Sequence, residues 1–299
     1  MVVDCHIHLN RKELGGIESA GQILKFMDKA KIDKAFLFSP PPIVAEPINQ
    51  RLIYRRNQER QKESIQIAGK IVAQNPERLV GFVWLDPLLP NAKEELERAV
   101  IDYKLRGVKM IPDHWYPFDE KILPIYEKIQ AFGVPIIFHS GMLSGLGDSS
   151  RFCRPAFFEV LLHFPKIKFA LAHTGWPWID ECIATAARFE AVLQSEKIFQ
   201  TVPEKDQSQQ GISIREPQMF IDITGTWETY KKEALRKAIA NLGEDRLIYG
   251  SDTFLTLEDI KRLKDSLQKD KRILKELGLS SKAQGKIMGE NAVRFVEKW

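Results

Sequence analysis

Short apolar runs recur along this chain, each followed by a stretch with helical spacing, and that alternation constrains the fold more than any other feature. The runs are Val2–His8, Ala35–Phe38, Leu79–Leu85, Gly107–Ile111, Val134–Phe138, Ile167–Ala172, Met219–Ile223 and Arg246–Tyr249. Between them lie segments with apolar residues on one helical face. Ile23, Leu24, Met27 and Ala30 form such a stripe in Gly21–Ile32, and Leu96, Ala99 and Val100 form another in Glu94–Tyr103. Further helices are expected from Pro42 to about Gln74 (long and basic), over Glu120–Phe132 with a stop at Gly133, and over Pro155–Phe164. Others are expected over Ile179–Leu193, Tyr230–Leu242 and Leu257–Leu267. Strands alternating with helices predict a parallel sheet with crossover helices. Eight such units fit an α/β protein of the TIM-barrel type, a (β/α)8 barrel with a C-terminal helical extension over Ser280–Val296, as a single domain spanning 1–299. A doubly wound open sheet is the competing architecture, but no Gly-rich phosphate loop follows the first strand.

Composition narrows the function classes. With 44% hydrophobic and 28% charged residues, the chain has an ordinary globular balance and enough apolar side chains for a sizeable core. A net charge of +4 over 299 residues gives no nucleic-acid signal. No apolar run is long enough to span a membrane, and the first strand begins at once, without a signal peptide. Cys5, Cys153 and Cys182 are far apart and odd in number, so no disulfide framework is expected and a cytoplasmic setting is the default. Cys5 is expected to face the helix layer, opposite the histidines that follow it.

The polar residues that interrupt this pattern collect where the strands end. His6 and His8 close strand one at i, i+2, a spacing that puts both side chains on one face of a strand, roughly 6.5–7 Å apart along the backbone. Alone, the pair reads equally as two exposed histidines. But His139 ends strand five, His173 ends strand six and Asp252 ends strand eight. Four of the six histidines and one carboxylate therefore stand at the face where barrel active sites form. That convergence predicts a metal site.

The ordered motifs Asp4-Cys5-His6-Ile7-His8, Asn75-Pro76-Glu77-Arg78-Leu79-Val80-Gly81-Phe82, Gly107-Val108-Lys109, His139-Ser140-Gly141, His173-Thr174-Gly175, Gly250-Ser251-Asp252 and Gly289-Glu290-Asn291-Ala292 resemble the amidohydrolase superfamily. More narrowly, they are similar to its amidohydrolase-2 branch, which includes aminocarboxymuconate semialdehyde decarboxylase and related decarboxylases and lactonases. The resemblance covers nearly the whole chain. It implies one divalent metal, zinc first and manganese or iron next, held by His6, His8, His139 and Asp252. His173 would then transfer a proton or stabilise an oxyanion, with Asp252 taking a proton from a water whose pKa the metal lowers towards about 7. The implied reaction is hydrolysis of a small lactone, amide or ester bearing a carboxylate. The alternative is non-oxidative decarboxylation of an aromatic or unsaturated acid by the same metal site. A homodimer is plausible for this branch.

Other residues carry two readings. Lys109, on strand four, is either a metal-bridging lysine or a structural lysine set low in the strand and paired with an inward carboxylate such as Asp222. His114 and Trp115 follow strand four as candidate substrate contacts. Arg51, Arg55 and Arg56, and later Arg151 and Arg154, read either as solvated charges or as grips for a substrate carboxylate. Trp84, Tyr116, Trp176, Trp178, Trp227 and Phe254 crowd the expected mouth and suggest a pocket for a flat body. His163 reads as a packing histidine, Asp4 as an inward residue one layer below His6, and Ser195–Glu216 as a surface insertion at the opposite face.

Overall fold

A computed structural model describes residues 1–11, 19–48, 51–144, 149–199, 218–225, 228–255 and 259–297. In chain order the elements are β1 (Val3–His8), α1 (Ala20–Ala30), β2 (Lys34–Phe38), β3 (Ile43–Ile48), β4 (Arg51–Arg56), α2 (Gln58–Val72), β5 (Leu79–Trp84), α3 (Ala92–Ile101), β6 (Gly107–Met110) and α4 (Leu123–Phe132). They continue with β7 (Ile136–Phe138), β8 (Phe169–Leu171), α5 (Ile179–Phe199), β9 (Met219–Asp222), α6 (Glu228–Leu242), β10 (Leu247–Ile248), β11 (Thr253–Phe254), α7 (Asp259–Glu276), α8 (Ser281–Gly285) and α9 (Asn291–Val296). One parallel sheet runs β10-β9-β8-β7-β6-β5-β2-β1-β11. β10 and β11 are two halves of the eighth strand, broken at Gly250–Asp252. The Cys5 N–H donates to the Tyr249 carbonyl at 2.9 Å and the Asp252 N–H to the His6 carbonyl at 3.0 Å, which joins the last strand to the first. The fold is the expected TIM-type barrel. Among the described residues, no helix is long and apolar enough to cross a membrane.

The period of two along each strand sorts side chains into two apolar layers. Phe36, Phe38, Val80, Phe82, Ile137, Ala170, Phe220 and Ile248 fill the lumen. Leu37, Val83, Val108, Ile136, Phe138, Leu171 and Ile221 face the helices. By the same count His139, one step beyond the outward Phe138, stands on the inner side. The lumen is closed from below by α9, whose Ala292, Phe295 and Val296 join the inner cluster. Phe295 meets Phe220 edge-on at 5.2 Å, and the Asn291 side-chain amide donates to the carbonyls of Glu244 and Leu247.

Cys5 belongs to the inner cluster, not to the helix side. The cause is a bulge in β1. Asp4 lies opposite Ala35 and Ile7 opposite Leu37, so β1 uses one residue more than β2 over the same span. The extra residue resets the alternation, and Cys5 faces inward as His6 and His8 do. Asp4, opposite the outward Ala35, is not an inner-layer residue.

The long helix expected after Pro42 is instead an antiparallel hairpin, β3 with β4, followed by α2. Ile43, Val44, Ile48, Leu52, Ile53 and Tyr54 are strand formers, and Asn57 caps α2 by accepting the Arg60 N–H at 2.9 Å. Pro155–His163 is a 3-10 helix rather than an α-helix. α5 runs past Leu193 to Phe199, and residues 200–217, most of the expected insertion, lie outside the described residues.

Truncating the α9 plug tests this architecture. Phe295→Ala should cost about 3–5 kcal/mol of unfolding free energy in a urea titration. A cost below about 1 kcal/mol would show that α9 does not complete the core.

Candidate metal centre

β1 delivers His6 and His8 to the barrel mouth, and the break in strand eight delivers Asp252 beside them. His6 Nε2 lies 3.2 Å from His8 Nε2, and Asp252 Oδ1 lies 3.4 Å from each. Ligands placed tetrahedrally about 2.0–2.1 Å from one zinc-sized ion are separated by roughly 3.3 Å. The three atoms thus already have the spacing of a shared coordination shell.

Their protonation agrees. Burial pushes His6 down to about 3, and the nearby Lys109 charge adds to the effect. Its neutral ring places Nδ1 at 2.5 Å from Asp222 Oδ2, so Nδ1–H donates there and Nε2 turns a lone pair into the triangle. Burial also lowers His8. At Asp252 burial opposes the charge, but the His8 hydrogen bond and the fields of His6 and His173 outweigh it and hold the carboxyl well below its usual range. The His6 lone pair, His8 Nε2 and a carboxylate oxygen therefore converge on one point. The donor set fits a divalent cation.

Two further histidines adjoin the triangle. His173 follows β8 with φ 59°, in a turn continued by Thr174 at φ 51°. It brings a ring nitrogen within 4.8 Å of the ligand atoms of His6 and Asp252. Its Nε2 lies 3.1 Å from His139 Nδ1, and His139 Nε2 lies 3.2 Å from the Met142 carbonyl. His139 thus meets the cluster through His173, with both nitrogens engaged. Burial holds His139 well below and His173 below the usual histidine range. Lys109 is not low in its strand. Its Nζ stands 3.4 Å from His6 Nε2 at the cavity floor, while Asp222, the partner expected for it, bonds His6. Burial lowers the Lys109 ammonium to about 8.

The packing leaves no spare volume at Gly250. A Cβ there would lie 2.4 Å from Thr224 Oγ1 and 2.6 Å from His6 Cβ, so only glycine lets strand eight pass behind the first ligand.

Above the triangle opens a cavity of about 390 Å³, within the usual range for small-molecule sites. Trp84, Ile111, Trp176 and Phe254 are among its walls, with Phe254 stacked on the His8 ring at 4.6 Å. Several expected contacts lie elsewhere. Trp115 is buried in the outer core. His114 pairs with Asp113 and Asp86, and Arg56 pairs with the same two carboxylates at the base of the hairpin. Arg154 pairs with Glu181 and lies over Trp178, and Arg151 lies over Phe152. Tyr116 stacks on Phe118. Arg55 is exposed on β4, where Arg51 also falls, though the Arg51 side chain and all of Trp227 lie outside the described residues. The role of Asp222 against His6 was missed, although period-two counting already placed it inward.

Donor atoms gathered in this way at a barrel mouth are suited to hold one metal ion. The Amidohydrolase family model Amidohydro_2 matches residues 3–298, and the chain belongs to that amidohydrolase-2 family. The sequence matches none of the curated proteins with which it was compared. Among solved structures it is similar to 2,6-dihydroxybenzoate decarboxylase from Rhizobium, at 17% identity and TM-score 0.64, covering 99% of this chain and 98% of that one. It is similar to a dihydroxybenzoic acid decarboxylase from Polaromonas with bound manganese and the inhibitor 2-nitroresorcinol, at 18% identity and TM-score 0.64, covering 99% and 96%. A third is a probable 2-pyrone-4,6-dicarboxylic acid hydrolase from Acinetobacter baumannii with citric acid bound, at 12% identity and TM-score 0.63, covering 99% and 98%. At these identities the likeness is one of fold.

Asp222→Asn, which weakens the hold on the His6 ring, should lower metal affinity roughly 10- to 100-fold in a chelator competition, with an unchanged circular dichroism spectrum. Unchanged affinity would show that Asp222 does not orient the ligand.

Proposed function

We propose that the protein is a metal-dependent decarboxylase, a lyase that removes the carboxylate of a small aromatic or unsaturated acid as carbon dioxide. The position of Lys109 carries this reading. Its ammonium stands 3.4 Å from His6 Nε2, at the floor of the cavity and beside the ligand triangle. A substrate carboxylate drawn to that charge comes to rest at the metal, which makes it the reacting group. In hydrolysis of a carboxylated lactone the acid group is a distant handle, and the ring carbonyl must occupy that place. The sequence alone ranks hydrolysis first. The lysine, together with a fold shared with several decarboxylases, supports the lyase instead.

The ion itself would be held by His6, His8 and Asp252, with His173 and His139 adjoining. Two nitrogens and one carboxylate oxygen suit zinc or manganese. When bound, the ion supplies a positive charge that orients the substrate and stabilises negative charge developing on its oxygens.

The side chains account for the rest. Trp84, Trp176 and Phe254 wall the cavity and exclude water from a flat substrate body. Lys109 Nζ donates to the carboxylate. His173, neutral in its buried setting beside the triangle, takes a proton from solvent and passes it to the carbon that bears the carboxylate. That carbon gains a C–H bond. The electrons of the breaking carbon–carbon bond return to the unsaturated system, and carbon dioxide departs.

The test incubates metal-loaded protein with hydroxybenzoates and carboxylated lactones while carbon dioxide and ring opening are measured together. Carbon dioxide release from an acid, abolished by a chelator and restored by metal, is the expected result. Lactone opening without carbon dioxide would assign the protein to the hydrolases. Lys109→Met should raise KM for the acid roughly 10- to 100-fold, the value of a charged hydrogen bond. An unchanged KM would remove the lysine from substrate binding.

A further inference from the structure

The ladder that closes the barrel is irregular where the ligands leave it. In a regular strand, residues i and i+2 address the same neighbour through their backbone groups, and the residue between them addresses the other. In β1, consecutive residues Cys5 and His6 both address strand eight, Cys5 through its N–H to Tyr249 and His6 through its carbonyl to Asp252. The bulge between Asp4 and Ile7 produces this. It leaves the N–H groups of His6 and Ser251 to be satisfied by other means, and buried amide groups are rarely left unpaired.

The Asp4 side chain satisfies both. Its Oδ1 accepts the His6 N–H at 3.1 Å and the Ser251 N–H at 3.0 Å. One oxygen atom thereby ties together segments 247 residues apart in sequence. One carries the amide of His6, the first ligand, and the other the amide of Ser251, the residue before Asp252. Asp4 is wholly buried, and the Ser251 hydroxyl lies beside its carboxylate. A buried carboxyl is costly unless its hydrogen bonds compensate, and those of Oδ1 go to the amide of one ligand residue and to that of the residue preceding the other.

We propose that Asp4 is a positioning residue for the metal centre: its Oδ1 fixes the distance between His6 and Asp252 by holding the backbone of both ligand-bearing turns. This rests on the reading of His6 and Asp252 as ligands. Asp4 approaches from behind the strand and touches neither ion nor substrate.

The experiment uses the full chain, stripped with a chelator and titrated with Mn2+ or Zn2+ against a competing indicator. Metal-free thermal unfolding is recorded in parallel. Asn keeps an oxygen at the same reach, so Asp4→Asn should retain wild-type affinity to within about threefold. Asp4→Ala removes the oxygen and should weaken metal binding about 10- to 100-fold. Asp4→Glu keeps the charge but displaces the oxygen by one methylene, and should also weaken binding while remaining folded. Wild-type affinity in Asp4→Glu, or in an Asp4→Ala protein whose only defect is a lower Tm, would overturn the proposal. So would Asp4→Asn binding as weakly as Asp4→Ala, since charge rather than position would then matter. His6→Ala and Asp252→Ala serve as references. If they bind metal as the wild type does, the ligand assignment itself fails, whatever the Asp4 variants show.

Discussion

The mouth of this barrel depends on bringing two imidazole nitrogens and a carboxylate oxygen together. His6 Nε2, His8 Nε2 and Asp252 Oδ1 lie 3.2–3.4 Å apart. The surrounding structure is arranged to impose that contact. Asp222 fixes the tautomer of His6, the hydrogen bond and charges around Asp252 keep it ionised, and Gly250 lets the eighth strand come close enough to present it. Phe36, Phe82, Phe220 and the α9 plug fill the lumen with apolar contacts beneath that polar layer.

On the proposed decarboxylase reading, this arrangement separates binding from chemistry by depth. The upper cavity is walled by Trp84, Trp176 and Phe254, and these walls recognise shape rather than charge. Charge is concentrated at the floor, where Lys109 and the ligand triangle meet. On that reading a flat acid entering this space would lower its carboxylate onto the floor and leave its body against the aromatic walls. Buried and neutral, His173 sits between His139 and the triangle, placed to carry a proton without adding charge to the site at rest.

Much of this was legible in the sequence because it rests on local periodicity. The strands are continuous apolar runs, a signature of parallel strands buried on both faces, and His6, His8, His139, His173 and Asp252 stand where those runs stop. What was not legible depends on contacts distant in sequence. A bulge of one residue leaves no mark in composition, yet it turned Cys5 inward and removed Asp4 from the inner layer. The helical spacing of Arg51, Arg55 and Arg56 could not show that strand-forming neighbours would fold the segment back as a hairpin. Trp115 and His114 follow a strand end as site residues do. One is taken by the outer core and the other by Asp113 and Asp86, partners that no spacing rule identifies. Lys109 was visible as an inward lysine, but its distance from His6 depends on how strands one and four meet across the lumen.

The central claim is that three atoms, His6 Nε2, His8 Nε2 and Asp252 Oδ1, share one metal ion. Anomalous diffraction from a metal-soaked crystal, recorded on either side of the absorption edge of the ion, tests it directly. The account predicts a single strong peak per chain about 2.0–2.2 Å from all three atoms. A peak that leaves out Asp252 or His8, or no peak at the barrel mouth, would contradict it.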